Sequence, residues 1–218
     1  AINNAATLGR GGLGSVVLFA MNNGNFDDCI GSNPDISSLP NVIAVSAASN
    51  QDRKVTESAW GNCMDILAPT HRGYGGGTPF SGTLNIATTD VTGTGGYNNT
   101  NPIASCPSAE PADRNYTLCF GGTSSATPLA AGVAGLILSS NSGLTRIQVQ
   151  RLLQDTADKM QDSVGRYATN TGFSTPASGV ATHGYGRINA YDAVRVAAPV
   201  SQGGRGGVDI FIRDNRLD

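Results

Sequence analysis

The chain has 218 residues, of which 39% are hydrophobic and 14% charged, and a formal net charge of -2. That length suffices for one domain with a sizeable buried core. The charge balance excludes the basic footprint of a nucleic-acid binder or of a protein held on an anionic membrane. No apolar run approaches the ~20 residues of a membrane span.

In chain order, residues 1–8 read as the tail of a helix, stopped by Gly9-Arg10-Gly11-Gly12. The chain opens on Ala1 without Met or a charged leader, as a processed or partial chain does. Residues 15–20 form a nearly continuous apolar run, the pattern of a strand buried on both faces of a parallel sheet. A polar loop follows, then strands at 41–48, 65–69 and 84–89, with a Gly-rich loop at 73–77. Residues 93–117 read as one long Gly-, Asn- and Pro-rich loop.

Residues 124–140 then read as a helix built from Ala and Gly, with small residues on nearly all sides, and so as a buried one. Thr145-Arg146-Ile147-Gln148 is a capping box. It opens a second helix with Val149, Leu152, Leu153, Thr156 and Met160 on one face. A short helix at 191–197 closes the pattern. Strands alternating with helices predict an α/β fold with a mainly parallel sheet and helices on both faces. The domain so defined spans 1–198; 199–207 is a Gly-rich linker, and 208–218 begins a further segment with a strand-like run.

Cys29, Cys63, Cys106 and Cys119 include no CxxC pair, and the chain has only two histidines, which disfavours a zinc site. An even number of cysteines in a Gly-rich, loop-rich chain points to two disulfides in an oxidising compartment, ahead of four buried thiols. A bridge between Cys106 and Cys119 would pin the excursion between them. The expected location is secreted or extracellular.

Ser124 is the residue best placed for chemistry. It follows Gly121 and Gly122 and opens the buried helix, with Pro128 expected in the first turn, where its missing N–H is tolerated. A helix N-terminus offers partial positive charge and free N–H groups, which suit a developing oxyanion. These features alone describe an ordinary N-cap at least as well.

The motif decides between the two. Gly122-Thr123-Ser124-Ser125-Ala126-Thr127-Pro128 resembles the GTSxAxP signature around the catalytic serine of the subtilisin-like proteases. Upstream, the run from Val16 to Ala20 followed by Met21-Asn22-Asn23-Gly24 resembles that family's strand ending in Ala-x-Gly-Asn, whose asparagine donates to the oxyanion. The resemblance puts that role on Asn23, with Asn22 standing where the family has glycine. Asp65-Ile66-Leu67-Ala68-Pro69 and the segment from His183 to Ala190 resemble two further family segments, so the likeness covers about residues 1–198.

Cys29 and Cys63 are placed like a disulfide of the kexin and furin branch. Asp27 resembles a calcium ligand of that branch, which leaves room for a structural calcium ion, although Gly61 and Asn62 replace the acidic partner before Cys63. No cofactor is required. By the same analogy, Asp27 and Asp28 would favour basic substrate residues. Asn98-Asn99-Thr100 and Asn115-Tyr116-Thr117 are sequons that matter only in a eukaryotic secretory pathway. Trp60 reads as packing.

A serine hydroxyl needs a general base, and the base needs an orienting group. The family's Asp and His motifs do not occur here. His71 and His183 lack the flanking pattern and read as surface or packing residues. The resemblance therefore implies a serine endopeptidase acting on proteins or peptides. Ser124 and Asn23 would lie in this chain, and the Asp and His in an N-terminal half, present as a bound chain or as a preceding segment. Alone, the chain is expected to be inactive. The alternative is a catalytically inactive, subtilase-like binding module.

Overall fold

The computed structural model describes residues 1–30, 35–70, 84–99, 110–160, 167–169, 172–174 and 182–198. The linker and strand expected over 199–218 lie outside these residues, as do His71 and Cys106. Helix α1 (Ile2–Leu8) opens the chain. Strands β1 (Leu18–Ala20), β2 (Ile43–Ala48) and β3 (Ile66–Pro69) form a parallel sheet in that order, in register Leu18 to Ile43 and Val45 to Ile66.

Every residue of β2 is buried. Side chains alternate across a strand. Ile43, Val45 and Ala47 thus enter one core cluster, while Ala44 and Ala48 enter another with Met21, Met64, Leu67 and Met160. The run at 15–20, expected to be buried on both faces, is instead half-buried, because β1 stands at the edge of this sheet.

Strand β4 (Ile86–Thr89) corresponds to the strand expected at 84–89, but it stands apart from the parallel sheet. Its antiparallel partner is β5 (Tyr116–Phe120), paired Thr89 to Tyr116 and Ile86 to Phe120. The loop expected at 93–117 therefore ends in a strand. The signal was present: Tyr-Thr-Leu-Cys-Phe is rich in strand formers, and Thr117 and Cys119 alternate inward. A short hairpin, β6 (Tyr167–Thr169) with β7 (Gly172–Ser174), has no counterpart in the sequence reading.

Helix α2 (Thr123–Ser140) packs across β1, β2 and β3, and against α3 (Arg146–Asp155) and α4 (Ala190–Ala197). Ala126, Ala130, Val133, Ala134 and Ile137 face the sheet. The expectation that α2 is buried nearly all round is corrected. Among the described residues Leu136 is 55% exposed, and a Cβ added at Gly132 or Gly135 would meet nothing within 4 Å. One stripe of small residues lets α2 sit close to the sheet; the opposite stripe has no such partner among the described residues.

The capping box forms as expected, with Gln148 N donating to Thr145 Oγ1 and Thr145 N donating to Gln148 Oε1. Val149 and Leu153 of α3 are fully buried. Truncating Leu153 to Ala would cost ~2–5 kcal/mol. Met160 does not share that face, because the helix ends at Asp155 and Met160 joins the opposite cluster. No helix among the described residues is long and apolar enough to cross a membrane.

Candidate active site

Strand β5 runs into Gly121 and Gly122, and α2 begins at Thr123. Gly122 has φ 72° and ψ -173°, a conformation closed to residues with a side chain. A Cβ there would also lie 2.8 Å from Asn23 Oδ1. The Gly122 carbonyl accepts from Ser125 N and Ala126 N at 3.2 and 3.3 Å, which starts the helix. Ser124 is exposed in the first turn, beside N–H groups that lack helical partners. Pro128 is exposed too, but it sits one turn deeper than expected. It therefore removes the helical bond to the Ser124 carbonyl rather than an idle N–H.

Asn23 comes to this turn from the far end of β1. Thr123 N donates to Asn23 Oδ1 at 2.9 Å. A backbone N–H can only donate, so the atom it meets is the amide oxygen, and Nδ2 is left as donor. The Thr123 hydroxyl lies 3.1 Å from the same Oδ1 and makes a short bond to the Met21 carbonyl. Ser124 and Asn23 are thus brought together through Thr123, a residue to which the sequence reading gave no role.

Asn22 is held elsewhere. Its N and Nδ2 donate to Asp28 at 3.2 and 2.9 Å, and Nδ2 also reaches Asp35 at 3.1 Å. Among the described residues only Arg10 and Asp52 carry positive φ without being glycine. Asn22 therefore needs no left-handed backbone, and its replacement of the family's glycine costs no strain.

The helix start that bears Ser124 is bonded to Asn23 through Thr123, and the model of the Subtilase family matches residues 1–184. The chain belongs to the subtilase family. It is 37% identical over 199 residues to a calcium-dependent protease of Trichormus variabilis, covering 91% of this chain and 27% of that protein. It is 30% identical over 174 residues to neuroendocrine convertase 2 of Homo sapiens, covering 78% of this chain and 23% of that protein. The subtilase chain thus spans about a quarter of the length of these curated relatives. The crystal structure of an Aeromonas sobria serine protease with its chaperone superposes at TM-score 0.66 and 22% identity, over 88% of this chain and 38% of that one. At that identity the likeness is one of fold.

Around the site, this subtilase chain carries a disulfide between Cys29 and Cys63. Cys119 is also disulfide-bonded, and its expected partner Cys106 lies outside the described residues. Asp27 Oδ1 accepts from Cys29 N at 2.9 Å. Gly61 has φ 144°, and a Cβ there would fall 2.3 Å from Asp27 Oδ1. A carboxylate at position 61 is thus sterically excluded. Calcium takes six to eight oxygen ligands, and no group of three or more acidic, His or Cys side chains able to hold a metal forms among the described residues. Asp28 is 7% exposed and its carboxylate is taken up by Asn22 and Ser37, so it is not presented to a substrate side chain.

His183 is 2% exposed, with Nδ1 2.8 Å from Thr182 Oγ1, and is a packing histidine of the subtilase core. Asn98 is 5% exposed and its Nδ2 donates to the carbonyls of Pro111 and Tyr116, so that sequon nitrogen holds the loop in place. Trp60 Nε1 donates to Asn25 Oδ1 at 3.0 Å. Asp65 is buried beside α3. Its Oδ2 accepts from Ala44 N at 2.7 Å, and its Oδ1 from Gln150 and Gln154 at 2.9 and 2.5 Å. Burial raises its pKa above the ordinary carboxylate value, opposed by these hydrogen bonds.

Proposed function

We propose that this chain supplies the nucleophile and an oxyanion donor of a secreted serine endopeptidase. Ser124 Oγ attacks the scissile carbonyl carbon and gives its proton to a histidine of the N-terminal half. That histidine protonates the leaving amine as the C–N bond breaks. Water then hydrolyses the acyl-enzyme on Ser124. Asn23 Nδ2 and the Ser124 N–H hold the oxyanion.

The observation that supports this reading is the Thr123 N–H on Asn23 Oδ1, which takes up the amide oxygen of Asn23 and leaves its Nδ2 as the donor end. The disulfide chemistry supports an oxidising compartment. The exposed stripe of α2 and the edge strand β1 supply surface for the N-terminal half, which would bring the Asp and His. The substrates on this reading are proteins or peptides.

A fluorophosphonate probe tests it. The expected result is rapid labelling at Ser124 in the whole protease and none in the isolated 218-residue chain. Full-rate labelling of the isolated chain would show that no external base is needed. Absence of labelling in the whole protease would favour a catalytically inactive subtilase fold.

A further inference from the structure

The peptide unit joining Gly122 to Thr123 is held at both ends. Its N–H donates to Asn23 Oδ1 at 2.9 Å. Its carbonyl oxygen accepts from Thr70 Oγ1 at 2.8 Å, besides the two helical N–H donors. Thr70 Oγ1 also lies 2.5 Å from Ser125 Oγ, which in turn lies 3.1 Å from the Gly122 oxygen. Two hydroxyls carry two protons, so only two of these three contacts are hydrogen bonds at once. The arrangement that uses the two shorter contacts has Ser125 donating to Thr70 and Thr70 donating to Gly122. Both side chains are buried, Thr70 at 2% and Ser125 at 0% exposure.

Thr70 is itself rigidly placed. It directly follows β3, and its N–H donates to the Ala48 carbonyl at the end of β2, at 2.8 Å. The Gly122 carbonyl is thereby tied to the ends of two core strands. Gly122 needs such a tie. At φ 72° it is free of the steric limits that fix other residues, so its torsions are set by what grips the peptide on either side. If that peptide plane rotates, the Thr123 N–H swings away from Asn23 Oδ1, and the Asn23 amide loses its orientation.

We propose that Thr70 is a positioning residue for the oxyanion donor. Its hydroxyl, supported by Ser125, fixes the Gly122–Thr123 peptide plane, and through the Thr123 N–H it fixes the amide of Asn23. The proposal rests on the protease reading for its catalytic consequence, while its structural content stands apart from that reading.

The test compares Thr70→Val, which keeps the shape without the hydroxyl, with Thr70→Ser, which keeps the hydroxyl. Both are made in the whole protease. Hydrogen exchange at the Thr123 amide and kcat per titrated active site are measured. Thr70→Val is expected to speed Thr123 exchange and to lower kcat about tenfold with KM unchanged, the size of one buried hydrogen bond. Thr70→Ser restores both. Thr70→Val added to Asn23→Ala lowers kcat no further, because both act on one donor. Wild-type exchange in Thr70→Val, or a full additive loss on Asn23→Ala, overturns the proposal. If the wild type does not label at Ser124, the protease reading fails and the exchange rate alone judges the clamp. Should Thr70→Val not fold, Ser125→Ala is read for faster Thr123 exchange, and an unchanged rate counts against the clamp.

Discussion

The backbone N–H of Thr123 donates to Asn23 Oδ1 at 2.9 Å, joining residues 100 apart in sequence. This bond fixes which end of the Asn23 amide accepts and which is the donor. It also separates two ways of damaging the site. Asn23→Ala removes both the acceptor and the donor. Asn23→Asp keeps the acceptor for Thr123 but puts a carboxylate oxygen where the donor stood. Both variants are expected to lower kcat on the order of 10²–10³ with little change in KM, the loss typical when an oxyanion donor is removed from subtilisin. Steady-state kinetics on a peptide substrate measure it. An Asn23→Asp enzyme of near wild-type kcat would rule out donation by Asn23.

Gly122 bears on the same contact from the other side. An alanine there meets two penalties at once: a φ of 72° and a Cβ only 2.8 Å from Asn23 Oδ1. The first strains the turn that presents Ser124, and the second pushes the amide out of place. Gly122→Ala is expected to cost ~1–3 kcal/mol of stability and to lower kcat at least as far as Asn23→Ala. Thermal unfolding and kinetics check the two parts separately. A stable variant with full activity would mean that Asn23 can retreat without consequence.

Much of this was legible in the sequence because it is local. The capping box at Thr145 and Gln148, the strand at 41–48 and the serine turn all rest on residues within a few positions of one another. What was hidden depends on distant partners. Thr70 reads as a loop residue until the Gly122 carbonyl is seen above it. Asn22 reads only as a departure from the family's glycine until Asp28 and Asp35 are found around its side chain. The exposed stripe of α2 was misread because small residues signal close packing without naming the partner. Pro128 was misread by one turn because the helix boundary is set by the Gly122 carbonyl, not by composition.

The Cys29–Cys63 bridge closes a segment with a sequence separation of 34. That segment holds β2 and Trp60. Cross-linking ends this far apart removes unfolded-state freedom worth about 4 kcal/mol. Replacing both cysteines with Ala is expected to lower the Tm of the whole protease by several degrees and to spare kcat per folded molecule. Reductant should then lower the Tm of the wild type by more than that of the variant. An equal shift in both would place the reductant-sensitive stability elsewhere.

Asp65 gives a prediction in pH. Its carboxylate is buried between β2 and α3, and among the described residues it accepts from Ala44 N and the two glutamines, none of them a cation. Burial raises its pKa above 3.8, so the folded state binds the proton more tightly than the unfolded chain does. Where the native state holds more protons, stability falls as pH rises. The contribution of Asp65 is therefore fullest below its ordinary value and is lost as pH climbs through the raised one. Tm measured in steps upward from about pH 4 should show this decline in the wild type. Asp65→Asn cannot ionise, so its curve is expected to be flatter over the same window, even though the substitution disturbs the glutamine contacts and lowers Tm throughout. Parallel curves would mean that the three donors offset burial completely and that Asp65 ionises as freely in the core as in the unfolded chain.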